Sequence, residues 1–196
     1  MKLNNASSSD LEKYQKVRDE NRRKEKSFES WIEKYIKERY GKSLGVHYSK
    51  TDQLDIGESD SKTEIKHNHK YSKTGNLFIE IDKLTKHGEW IKSGIYREDN
   101  SRWYLIGDRN KFWLFKKEIL KKEFGNNHYS KIPGYLPGFA FPTSHGYLLP
   151  IEKANQIAKK ITLINDVNPN NKTKREPFQM ELENIFKGMN NEKKST

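Results

Sequence analysis

The sequence predicts an α/β domain. Three observations carry that expectation: an amphipathic helical pattern that sharpens from Ser27, a series of short alternating runs between 44 and 115 that read as strands, and further helical patterns after them. A length of 196 residues suits one compact domain with a sizeable core and loose ends. Charged residues (33%) outnumber hydrophobic ones (32%) and the mean hydropathy is -1.09, so part of the chain is expected to stay unpacked. The 12% of aromatic residues argues for a core nonetheless, because ring area drives burial.

Taken in order, residues 1–9 are polar, and 10–26 form a charged, helix-friendly arm with few apolar anchors at Leu11, Tyr14 and Val17. From Ser27, which can cap, Phe28, Trp31, Ile32, Tyr35 and Ile36 fall at i, i+3, i+4, i+7 and i+8, and Gly41 can end the helix. Strands are predicted over 44–49, 53–57, 62–67, 77–82, 102–107 and 111–115, as a mostly antiparallel meander with a hairpin turn at Asp108-Arg109-Asn110. A short helix is expected over 116–124 before Gly125. Residues 126–150 read as a loop rich in Pro, Gly and aromatics, and Pro150 suits the first turn of a helix carrying Ile151, Ala154, Ile157, Ala158 and Ile161. The division expected is an arm over 1–26, one folded domain over 27–164, and a linker and tail over 165–196 with room for one short helix.

Lys and Arg number 38 against 27 Asp and Glu, giving +11 and a pI near 9.5, which favours an anionic partner over a merely Lys-rich surface. The absence of cysteine excludes disulfides, thiolate zinc sites and a cysteine nucleophile, and fits an intracellular protein. The N-terminus lacks an apolar signal core, and no stretch approaches a spanning helix, so a cytoplasmic protein with no membrane partner is expected. Neither HExxH nor GxSxG occurs.

The chemistry-bearing pattern is Asp55, then Glu64-Ile65-Lys66 after eight intervening residues. Strand side chains alternate, so Glu64 and Lys66 share a face and Ile65 takes the other. A hairpin between 55 and 64 would bring two carboxylates to one point with an ammonium beside them. Two ionised carboxylates repel, and a divalent cation between them relieves that repulsion. Such an ion acidifies bound water and neutralises phosphate charge, while Lys66 can orient the water or stabilise the oxyanion. The bland alternative is a surface hairpin with cross-strand ion pairs; Glu192-Lys193-Lys194 repeats the triplet in a tail, so context rather than spacing carries the argument.

Those residues, with Glu29 on the helix before them, then TGNLFIEI (74–81) and KSGIY (92–96), resemble the PD-(D/E)XK nuclease superfamily over 27–120, and in particular its phage and bacterial members with a Glu-x-Lys strand, a TGN-x-x-x-E strand and an SGI turn. The resemblance implies a restriction-endonuclease-like mixed central sheet flanked by helices, DNA as substrate, and Mg²⁺, with Mn²⁺ as a substitute. It implies Asp55, Glu64 and Lys66 as catalytic residues. The metal ligands it implies are Asp55, Glu64 and the Ile65 carbonyl, with Glu29 and Glu80 as further acids. Leu54 stands where the superfamily often has Pro, and Asn68 where an acid is expected in the phage-like group.

For nucleic-acid contacts the candidates are Arg22, Arg23 and Lys24 on the arm and His67, His69, Lys70 and Lys73 after the strand, against defaults of a solvated helix face and ordinary strand-end residues. The loop from His128 to Tyr147 interleaves Lys131 and His145 with rings, a mixture suited to stacking on bases, although such rings more often cover the sheet as satellite core. The function expected is a metal-dependent deoxyribonuclease of restriction or phage type, with a homodimer favoured for cutting both strands. Its rivals are a Holliday-junction-resolvase-like enzyme, a non-catalytic nucleic-acid-binding module of the same fold, and a protein-interaction factor.

Overall fold

The structure is a computed structural model that describes residues 8–41, 43–47, 59–85, 87–126, 129–136 and 141–163. Helix α1 (Ser8–Tyr40) runs unbroken from the described part of the arm through the predicted first helix. Ser27 therefore lies inside the helix and caps nothing; its hydroxyl accepts a hydrogen bond from Arg109 (2.9 Å). Gly41, at φ +65°, ends the helix by donating to the Lys37 carbonyl.

Among the described residues eight strands follow: β1 (Thr63–His67), β2 (Asn76–Leu84), β3 (Trp90–Lys92), β4 (Trp103–Gly107), β5 (Lys111–Lys116), β6 (Ile132–Gly134), β7 (Ser144–Pro150) and β8 (Lys160–Leu163). Between them lie α2 (Tyr71–Thr74), a 3-10 turn (Gly94–Tyr96), α3 (Lys117–Asn126) and α4 (Ile151–Ile157). The α/β class is as expected. The strands do not form one central sheet, however, but two four-stranded sheets among the described residues, in orders β1-β4-β5-β8 and β3-β2-β7-β6. The second is antiparallel throughout. The first is mixed, since β1 runs parallel to β4, so the sheets depart from a simple meander.

The reason for two sheets is written in β4 and β5, every residue of which but the ends of β5 is buried. On β4, Trp103 and Leu105 face α1 while Tyr104 and Ile106 face the second sheet; on β5, Phe112 and Leu114 face α1 while Trp113 and Phe115 face the second sheet. A strand covered on both faces reads as a continuous apolar run rather than an alternation. Phe28, Ile32 and Ile36 of α1 close one side, and Leu77, Ile79, Tyr147 and Leu149 close the other with Leu120 and Ala154.

Other expectations need correction. Residues 44–47 contribute only an isolated bridge, Val46 to Ser59, instead of a strand, and 53–57 lies outside the described residues, as does any tail helix. The helix after Pro150 stops at Ile157, and Ile161 pairs with Trp113 on β8. The loop expected over 126–150 contains β6 and β7, and α3 continues through Gly125. Among the described residues no helix is long and apolar enough to cross a membrane.

Candidate functional site

Strand β1 is launched by a buried hydroxyl cluster. Ser59 Oγ accepts from the Thr63 amide (3.0 Å) and donates to the Thr63 carbonyl (3.0 Å), and Ser61 Oγ donates to Thr63 Oγ1 (3.0 Å). Lys62, at φ +54° in the left-handed region, turns the chain into the strand, and its carbonyl accepts from the Arg102 and Trp103 amides, tying the turn to β4. Glu64 is thereby aligned with Tyr104 and Lys66 with Ile106, on the face of the first sheet that meets the second. Ile65 points the other way into the α1 core, as alternation requires.

The Glu64 carboxylate is wholly buried (0% exposed) and holds two ammonium groups: Lys66 Nζ lies 2.9 Å from Oε1 and Lys117 Nζ 2.6 Å from Oε2. Lys117, at the start of α3, also reaches Asp99 (3.3 Å), whose other oxygen takes Arg97 Nε (3.1 Å). The result is an alternating chain of charge, Lys66-Glu64-Lys117-Asp99-Arg97, spanning β1, α3 and the segment after the 3-10 turn. Burial alone pushes the Glu64 carboxyl up, but the fields and hydrogen bonds of Lys66 and Lys117 prevail and hold it below its ordinary value. Lys117 is almost sealed (5% exposed), whereas Lys66 keeps a quarter of its side chain in solvent (25%).

Other charges gather on Lys66. Burial pushes the Glu29 carboxyl up, with Lys66 opposing and the like charge of Glu25 adding to the rise. Glu25, one helical turn earlier and still touching solvent, is raised in the same way by burial and Glu80 against Lys66. Lys83 is exposed at the surface, but the protein around its ammonium lowers its pKa by desolvation, with Lys66 contributing and Glu80 opposing. Glu80 is pinned by the Ser93 hydroxyl, and Gly94, at φ +51°, lies so close to the Glu80 carbonyl that a Cβ there would collide with it. The TGN and SGI segments thus have defined jobs: Gly75 (φ +68°) caps α2, Asn76 and Thr74 brace that turn, and Ser93-Gly94 seats Glu80.

Of the residues singled out by sequence, Glu64 and Lys66 are in direct contact, Glu29 lies within the electrostatic reach of Lys66, Glu80 acts with Glu64 and Lys66 on Lys83, and Asp55 lies outside the described residues. His67 takes the opposite face from Lys66 and stacks on Phe28 (centroids 5.0 Å apart), with His69 beside it at 5.4 Å. Burial, ahead of the neighbouring His69, lowers the His67 pKa. Arg22, Arg23, Lys24, Lys70 and Lys73 are all exposed, and Lys24 pairs with Glu20 (2.8 Å). Sequence reasoning missed Lys117, Asp99, Glu25 and Lys83; a lysine directly after a buried strand was the one local signal available for Lys117.

Among the described residues no three His, Asp or Glu side chains converge as a metal cluster. Glu64 Oε1 is paired with the more exposed Lys66, so a cation on that oxygen would have to displace the ammonium, and a single protein carboxylate with water and substrate phosphate is within the habit of Mg²⁺. The raised Glu25 and Glu29 carboxyls are further acids that a divalent ion would bring back toward ionisation. No family model matches the chain, and neither does any curated protein or solved structure.

Proposed function

We propose that the chain is a metal-dependent deoxyribonuclease that hydrolyses DNA phosphodiester bonds inside a bacterial or phage-infected cell. One observation carries the reading: a buried carboxylate and a partly exposed lysine stand on the same face of one strand, 2.9 Å apart, with further acids grouped around that lysine. The resemblance of Asp55, Glu64-Ile65-Lys66, Glu80 and the SGI turn to PD-(D/E)XK nucleases supports it, and so does a charge of +11, which suits a polyanionic substrate.

In this reading Glu64 and Asp55, with the Ile65 carbonyl and Glu29 or Glu80, would hold Mg²⁺ or Mn²⁺. When bound, the ion supplies charge neutralisation at the phosphate and a more acidic coordinated water. The protein's own groups do the rest. Lys66 leaves Oε1 of Glu64 and places its ammonium against negative charge developing on the phosphate oxygens. Lys117 stays on Oε2, so Glu64 remains ionised and fixed when Lys66 turns away. A homodimer would present two such sites to the two strands of a duplex.

Cleavage of linear duplex, single-stranded and branched DNA with Mg²⁺ and Mn²⁺ tests this. Lys66→Ala and Asp55→Ala are each expected to reduce cleavage by about a hundredfold or more, the scale of losing one group that stabilises developing charge, while duplex binding stays within about threefold. Retained turnover in either variant would falsify the assignment. A second reading, a non-catalytic nucleic-acid-binding module, is favoured by the two ammonium partners already on Glu64; binding without cleavage under every metal condition selects it.

A further inference from the structure

Trp90 is a large aromatic left 42% exposed, on the edge strand β3, whose three residues are all exposed. An exposed indole normally samples several rotamers, but this one is backed by a second ring: the His145 imidazole lies 3.8 Å from it, centroid to centroid, with the planes 30° apart. His145 is in turn fixed by Asp82, whose Oδ1 lies 2.5 Å from Nδ1, and Asp82 Oδ2 binds the Lys131 ammonium at 2.5 Å. The register explains the convergence. Asp82 pairs with both Lys92 and His145 across β3 and β7, and the irregularity between Glu80 and Asp82 carries this end of β2 past the Ile79–Tyr147 core. Asp82 thus anchors a ring that backs another ring, an indole left open to solvent, and the same carboxylate holds the Lys131 ammonium.

A flat, pre-ordered π-surface beside a cation has the chemistry that takes a nucleobase and its phosphate, and pre-ordering removes much of the rotamer entropy that binding would otherwise cost. We propose that Trp90, backed by His145, with Lys131 on the same Asp82 carboxylate that holds that imidazole, is a subsite for one unpaired nucleotide of a DNA strand. It rests on the nucleic-acid reading above but uses none of the groups around Lys66. Trp90 stacks on the base, Lys131 meets the adjoining phosphate, and His145 and Asp82 are positioning residues. A duplex, with its bases stacked inside, cannot use the indole face, so the subsite favours single-stranded or frayed DNA.

The test is equilibrium binding of an eight-thymidine strand and of a duplex, both in EDTA so that cleavage plays no part, read by anisotropy and by tryptophan fluorescence. Trp31 is half-buried and Trp103 and Trp113 are buried, so Trp90 is the indole open to stacking. Trp90→Ala is expected to weaken the single strand about tenfold, or about 1.4 kcal/mol, inside the range for one lost stacked base, while duplex affinity is unchanged. Trp90→Phe keeps a ring, so affinity stays within about threefold and the strand-induced quenching disappears; this variant decides the matter if the alanine variant misfolds. Unchanged single-strand affinity in Trp90→Ala, undiminished quenching in Trp90→Phe, or thymidine monophosphate binding as tightly as the strand overturns the subsite. Duplex binding that survives such a failure leaves the nuclease reading standing, whereas no binding to either DNA removes both.

Discussion

Glu64 carries two positive partners, and the second is what makes its burial tolerable when the first moves. Removing one member of a buried ion pair leaves an uncompensated charge and costs about 3–5 kcal/mol. Lys117→Met should therefore destabilise the protein by about 3–5 kcal/mol, since it strips a sealed ammonium from both Glu64 and Asp99. Lys66→Met should cost clearly less, because water can reach that end of Glu64 through the exposed part of the Lys66 site. Urea unfolding of both variants measures the difference, and equal losses would contradict the division of labour between the two lysines. The same carboxylate predicts an acid dependence. Its folded pKa lies below the ordinary 4.5, so its contribution is present in full above about pH 4.5 and is lost as the pH falls through the lowered value. Wild-type stability is expected to fall more steeply between about pH 5 and 3 than that of Glu64→Gln, which has no proton to take up there. Parallel slopes for the two proteins would remove Glu64 as the cause.

Among the elements, the turn at Ser93-Gly94 fixes how β2 presents Glu80. A side chain at position 94 meets both a left-handed φ and the Glu80 carbonyl, so Gly94→Ala should destabilise by about 1–3 kcal/mol, the scale of one strained backbone position. Thermal unfolding checks it, and an unchanged melting temperature would mean that the turn relaxes freely. Patterns this local were readable in advance. Alternation in Glu64-Ile65-Lys66 gave the strand and its faces, the apolar stripe from Phe28 to Ile36 gave the buried side of α1, and the paired runs around Asp108 gave the β4–β5 hairpin. Ile161 was misread because it fits the helical spacing after Ile157; only pairing with Trp113 makes it a strand residue, and that partner is remote in sequence. Strand β7 hid in a stretch with Gly146 and flanking prolines, where the residues themselves favour turns. Lys117 and Asp99 were illegible for the same physical reason: an ion pair across elements leaves no period in the chain.

At the scale of the whole molecule the relevant quantity is the excess of 38 Lys and Arg over 27 Asp and Glu. Many of these charges are already spent internally, as in Lys24-Glu20, Lys34-Glu38 and Lys92-Glu98, so net charge alone does not give the number that meets a phosphate backbone. Salt dependence does, because each phosphate neutralised on duplex DNA contributes about -0.9 to the slope of log affinity against log salt. A surface that engages six or more phosphates should lose roughly a thousandfold in affinity between about 50 and 200 mM salt. Lys66→Ala should leave that slope within about one contact of wild type, since Lys66 faces Glu64 and is one ammonium among many. A titration of duplex binding over this range decides the point. A slope near zero would mean that the positive excess faces solvent counterions rather than nucleic acid, and the nuclease reading would then lose the substrate on which its chemistry depends.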